Sequence, residues 1–185
     1  MSYDRAVIFL DVDGVLNTMD PSKPYPDDNF DPELPQDCHL SVLHRIVDMT
    51  GADIVLSSGW RCSLENLQEV IDALYRWGMH LRGVTTDHAS LQSIRACGIN
   101  IVPKRTYFLG GEEIVQDRGA EIITWLLKHR EYTRVLAIDD ETDDIERWIP
   151  GRCIKTDLMK GLLLEHVMKA DVILSKDPLI LPHHC

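Results

Sequence analysis

Positive charge is scarce in this chain. Lys and Arg number 19 against 30 Asp and Glu over 185 residues, a net charge of -11. That balance argues against non-specific affinity for nucleic acid or anionic membrane, since both need clustered cations. It leaves a nucleic-acid end open as a substrate. Long apolar runs are absent too, and no stretch is long enough to span a membrane. The amino terminus shows no secretory leader pattern: Asp4 and Arg5 interrupt it, and the apolar run that follows is too short. The five cysteines are scattered and form no Cys-x-x-Cys pair. This usage predicts buried or free thiols in a reducing, cytoplasmic setting. Internal repeats, a Ser-His-Asp arrangement and a phosphate-binding Gly-rich loop are also missing; Gly110-Gly111 is a turn signal alone. His183-His184-Cys185 lacks partners at ligand spacing and reads as a frayed tail.

What is present starts with Ala6-Val7-Ile8-Phe9-Leu10-Asp11-Val12-Asp13-Gly14-Val15-Leu16-Asn17. A short apolar run rich in Val, Ile and Phe predicts a strand buried on both faces. Two aspartates follow at its carboxyl end, where open α/β sheets place their ligands. Carboxylates there are costly unless they bind a cation or do chemistry. A calcium-binding helix-loop-helix also opens with Asp-x-Asp, but it needs glycine at the sixth position, where Leu16 stands.

The rest of the chain alternates between strands and helices. A helix is predicted from about His39 to Met49, with Leu40, Leu43, Ile46 and Val47 on one face. A strand over Asp53 to Leu56 leads into Ser57-Ser58-Gly59-Trp60-Arg61. Ser63 caps a helix that runs to about Trp77, with Gly78 as its stop. A weak strand near Leu81 to Val84 precedes a mixed stretch with a helix around Ala89 to Cys97. A helix follows Arg118, a strong strand covers Arg134 to Ile138, and the run Asp139-Asp140-Glu141-Thr142-Asp143-Asp144 comes next. A short strand near Cys153, a helix near Leu162 to Lys169 and a last strand near Val172 to Leu174 finish the chain. This order predicts one α/β domain with a parallel sheet and helices on both faces. Residues 18–38 are Pro-rich, with Pro21, Pro24, Pro26, Pro32 and Pro35, and read as a flap-like loop beside the first two aspartates.

Three strands therefore end in polar clusters that a parallel sheet would bring to one edge. Hard oxygen ligands suit Mg2+. A carboxylate beside that ion can attack phosphorus, and a second acid can exchange protons with the leaving oxygen and with water. Ser57 offers a hydroxyl to the phosphoryl group, and Arg118 a cationic fork.

On Asp11-Val12-Asp13-Gly14, Ser57, Arg118 and Asp139-Asp140 with Asp144, the chain resembles the haloacid dehalogenase (HAD) superfamily of phosphohydrolases. The strings Phe9 to Asn17, Leu56 to Arg61 and Ala137 to Glu141 resemble the small HAD domains of Swiss Army knife RNA-repair proteins. The resemblance implies a Rossmann-like three-layer α/β/α core and a Mg2+-dependent phosphomonoesterase. Asp11 would be the nucleophile, and Asp13 the general acid/base that also offers its backbone carbonyl to the metal. Asp139, Asp140 and Asp144 would hold Mg2+ or orient its waters. Ser57, or Ser58 if the strand runs one residue longer, and Arg118, or Lys104, would hold the phosphoryl group. Arg61 could reach a phosphate and Trp60 stack on a base; the plainer reading packs Trp60 in the core and sets Arg61 at the surface or against a carboxylate. Too few residues remain for a full cap domain. That implies an open site suited to a phosphorylated nucleic-acid end or small molecule, or one covered in a homo-oligomer. The competing readings are a catalytically silent phosphate-binding or scaffold protein and a small-metabolite phosphatase or phosphotransferase.

Overall fold

The computed structural model describes residues 4–18 and 34–182. Most of the Pro-rich segment, and so the flap expected there, lies outside these residues. A five-stranded parallel sheet is formed by β1 (Arg5–Leu10), β2 (Asp53–Leu56), β3 (Leu81–Val84), β7 (Tyr132–Asp139) and β8 (Cys153–Lys155). Its order is β3-β2-β1-β7-β8. The central strand β1 pairs Leu10 with Leu56 on one side and with Ile138 on the other.

The period-two alternation of a strand distributes β1 between two cores. Ala6, Ile8 and Leu10 face one core, closed by α1 (Asp37–Thr50), α2 (Leu64–Arg76) and α6 (Glu165–Leu174). Val7 and Phe9 face the other, closed by α3 (Leu91–Ala96), α4 (Arg118–Lys128) and α5 (Asp143–Trp148). Phe9 meets Trp125 edge-on at 5.4 Å between ring centroids. The result is a three-layer α/β/α sandwich of Rossmann type, as the sequence pattern implied.

Local signals explain the helix ends. The Ser63 side chain accepts from the Asn66 amide to start α2, and Asp117 accepts from Gly119 and Ala120 to start α4. The secondary structure departs from expectation at two places. Val172 to Leu174 is the end of α6 rather than a strand. Ala170, Ile173 and Leu174 are buried while Val172 is exposed, a helical spacing that a three-residue apolar string hides. The mixed stretch before Arg118 holds a small antiparallel sheet of β4 (Ala89–Ser90), β5 (Thr106–Leu109) and β6 (Glu112–Val115), in the order β4-β6-β5. Gly110 and Gly111, both at positive φ, form its hairpin turn. No cap domain stands over the main sheet among the described residues. Among the cysteines, Cys38, Cys62 and Cys153 are free thiols, whereas Cys97 is disulfide-bonded, against the expectation of free or buried thiols throughout.

Candidate active site at the carboxyl edge of the sheet

The sheet ladder continues one residue past its strands. The Asp11 amide donates to the Ile138 carbonyl at 3.0 Å, and the Ser57 amide to that of Leu10 at 2.8 Å. The Thr156 amide donates to the Asp139 carbonyl at 3.0 Å. These bonds set Asp11, Ser57 and Asp139 side by side. The chain then turns sharply after Asp11, with the amides of Val15, Leu16 and Asn17 all donating to the Val12 carbonyl. Val12, Val15 and Leu16 are fully buried, so the turn is pinned to the core while Asp13 faces solvent. Gly14 is required twice here. Its φ is +68°, and a Cβ would lie 2.9 Å from the Asp140 side chain.

Carboxylate oxygens of Asp11, Asp139 and Asp140 come within 4.8 Å of one another. Asp11 and Asp139 are buried, at 7% and 4% exposure. Burial raises the Asp11 carboxyl above the usual carboxylate range, opposed by Arg118 and the Ser58 hydroxyl. Burial, then the neighbouring Asp11, push Asp139 up to about 8; Arg118 and the Glu141 amide pull the other way. Asp140 is raised by burial and by Glu141. Three crowded acids with raised pKa values could hold a hard divalent cation, whose charge would favour their ionised forms.

The remaining candidates fall around this cluster. Arg118 opens α4, with Nε 3.8 Å from Asp139 Oδ2, and its buried Nη1 has no hydrogen-bond partner. Lys104 meets Asp144 instead, its Nζ 3.4 Å from Asp144 Oδ1, and the Asp144 carboxylate lies outside the three-acid group. Ser58 interacts with Asp11, and the Ser57 hydroxyl lies 3.5 Å from that of Thr85. Asp13 is also outside the group: its carboxylate accepts from the Trp60 indole and from Asn17. Arg61 is buried against Glu121 at 2.9 Å and donates to the Ser58 and Thr86 carbonyls.

Glu121 is a site residue that sequence reasoning missed. It is 6% exposed, and its pKa is raised by burial against the pull of Arg61 and Arg118. Its signal was its place three residues after Arg118, on the same helical face. A cleft of about 620 Å³ opens over Asp11, Asp139 and Asp140. Tyr107 of β5 and His88 lie on its walls, which makes the small sheet a low side wall.

Comparison with known proteins adds one finding. The family described as the HAD domain in Swiss Army Knife RNA repair proteins matches residues 7–167. No curated protein and no solved structure gives a significant match. The matched span runs from β1 into the first turn of α6 and contains every site residue named above. The chain belongs to the HAD domain family of Swiss Army Knife RNA repair proteins.

Proposed function

We propose that this domain is a Mg2+-dependent phosphomonoesterase that works through an aspartyl-phosphate on Asp11, with phosphorylated nucleotide or nucleic-acid ends as its substrate class. Membership of the HAD family points to phosphohydrolase-type chemistry in general. The observation that carries the finer reading is the meeting of Asp11, Asp139 and Asp140 within 4.8 Å, beside Arg118. Asp11, Asp139 and Asp140 would hold Mg2+, which supplies charge neutralisation for phosphoryl oxygens when bound.

The chain's own groups account for the remaining steps. Arg118 and the serine hydroxyls orient the phosphoryl group over Asp11. A carboxylate oxygen of Asp11 attacks phosphorus, and the ester P–O bond breaks. The departing oxygen keeps the bonding pair and takes a proton from Asp13. Asp13, now ionised, accepts a proton from water, whose oxygen attacks the same phosphorus. The bond to Asp11 breaks, inorganic phosphate leaves, and both aspartates return to their starting states. The open cleft supports a chain end as substrate, since no cap encloses a small molecule among the described residues. The net charge of -11 confines contact to that end, because flanking phosphates would be repelled.

The test is phosphate release from an aryl phosphate and from 3′- and 5′-phosphorylated oligonucleotides, with and without Mg2+. Wild type should hydrolyse at least one oligonucleotide end only with Mg2+, and Asp11→Asn should hydrolyse none. Turnover that persists in Asp11→Asn, or in a chelator, contradicts the proposal.

A further inference from the structure

The segment between β2 and α2 serves both aspartates of the first motif. Ser58 interacts with Asp11, and its hydroxyl also accepts from the Trp60 amide at 3.4 Å. Two residues on, the Trp60 side chain turns into the core behind β1 and β2 and is 3% exposed. A buried indole needs a partner for its N–H. Here Nε1 donates to both carboxylate oxygens of Asp13, at 3.1 Å to Oδ1 and 3.0 Å to Oδ2. Asn17, also buried, donates from Nδ2 to Asp13 Oδ1 at 3.0 Å.

We infer that Trp60 is a positioning residue for the proton transfers of Asp13. This rests on the reading of Asp13 as general acid/base. Asp13 is exposed on a tight turn, and a short exposed side chain ordinarily samples several rotamers. Proton transfer needs its oxygen within hydrogen-bond reach of the reacting atom. The core-packed indole supplies a fixed point, and the carboxylate is held to it. An indole N–H only donates, so it takes no proton from Asp13 and offers none in exchange. Its hydrogen is shared between both oxygens. The carboxylate is therefore held through either of its oxygens. Arg61 fixes the same segment to α4 through Glu121, which ties this support to the helix that carries Arg118.

Leaving-group dependence separates positioning from mere structural packing. A nitrophenolate leaves without help, whereas an alkoxide needs a proton from the general acid. Trp60→Phe keeps a ring and removes the N–H. The rate at which an alkyl phosphate phosphorylates Asp11, read in a single turnover, should fall by about 10-fold or more, within the span general acids contribute. The same rate with p-nitrophenyl phosphate should change little, because for that ester Asp13 is needed only in the later attack of water. Benzothienylalanine at position 60 keeps the bicyclic ring, replaces the N–H with sulfur, and should give the same split if Trp60→Phe does not fold. The Trp60 indole N–H resonance should move upfield in Asp13→Ala. An equal loss of the phosphorylation rate on both esters, no loss on either, or an unmoved resonance overturns the positioning role while leaving the site reading intact. Turnover retained in Asp11→Asn overturns the site reading instead.

Discussion

Both ends of the parallel sheet carry aspartates, and the two ends treat them in opposite ways. At the amino edge, Asp53 accepts from Arg5 at 2.5 Å and from the Tyr132 hydroxyl at 2.8 Å. Arg5 also lies over the Tyr132 ring at 4.9 Å. Charge is matched there, and the cluster binds the starts of β1, β2 and β7 together. At the carboxyl edge, Asp11, Asp139 and Asp140 meet one another, and the cation beside them is Arg118, 3.8 Å from Asp139. The first arrangement closes upon itself. The second is deficient in positive charge at a point where burial makes that deficit costly. The difference separates aspartates matched within the fold from aspartates that, on the proposed function, would be matched by a cation.

The largest effect should come from the proposed nucleophile. Asp11→Asn keeps the shape and removes the attacking charge, so kcat should drop by about 10³-fold or more while the protein stays folded. Circular dichroism and phosphate release on the same sample check both halves. Gly14→Ala should come next. The left-handed backbone and the contact with Asp140 cost about 1–3 kcal/mol in stability. A misplaced Asp140 should slow turnover by about 10- to 100-fold, as small displacements in active sites do. Loss of stability with full activity would show that Asp140 tolerates movement.

The pH dependence of stability sharpens the same contrast. Asp139 holds its proton up to about 8 when folded, far above its ordinary value near 4. Between those values the folded state binds a proton that the unfolded state lacks. Stability of the metal-free protein must therefore fall as pH rises through this window, by at most about 1.4 kcal/mol per pH unit for one proton. Mg2+ should raise the melting temperature more at pH 8 than at pH 6, and Asp139→Asn should flatten the metal-free slope. Melting curves in chelator and in Mg2+ measure all three. The smallest effect belongs to the amino edge. Asp53→Ala should cost about 1 kcal/mol, since Arg5 is largely exposed and water screens the pair. Its kcat should be unchanged, and a large loss of activity there would erase the distinction between the two edges.

The site was legible in the sequence where a strand delivers it. Asp11 follows an apolar run, and Asp139 ends another, so their shared edge could be read from periodicity and parallel topology. Arg118 was legible as the residue opening a helix. The chain conceals what depends on contacts between distant segments. Trp60 and Asp13 are 47 residues apart, and Arg61 and Glu121 are 60 apart, so nothing local announces either pair. The small sheet was missed for another reason. Thr106-Tyr107-Phe108-Leu109 is exposed along its whole length, so its apolar residues show no buried face. The end of α6 shows the converse: Val172, Ile173 and Leu174 look like a strand until their burial separates them.

The most direct measurement is mass spectrometry of protein quenched in acid during turnover of a phosphorylated oligonucleotide, followed by proteolysis. One phosphoryl group on the peptide that holds Asp11, formed with Mg2+ and absent in chelator, is the predicted result. Turnover with no phosphorylated peptide, or with the group on any residue but Asp11, contradicts the central claim.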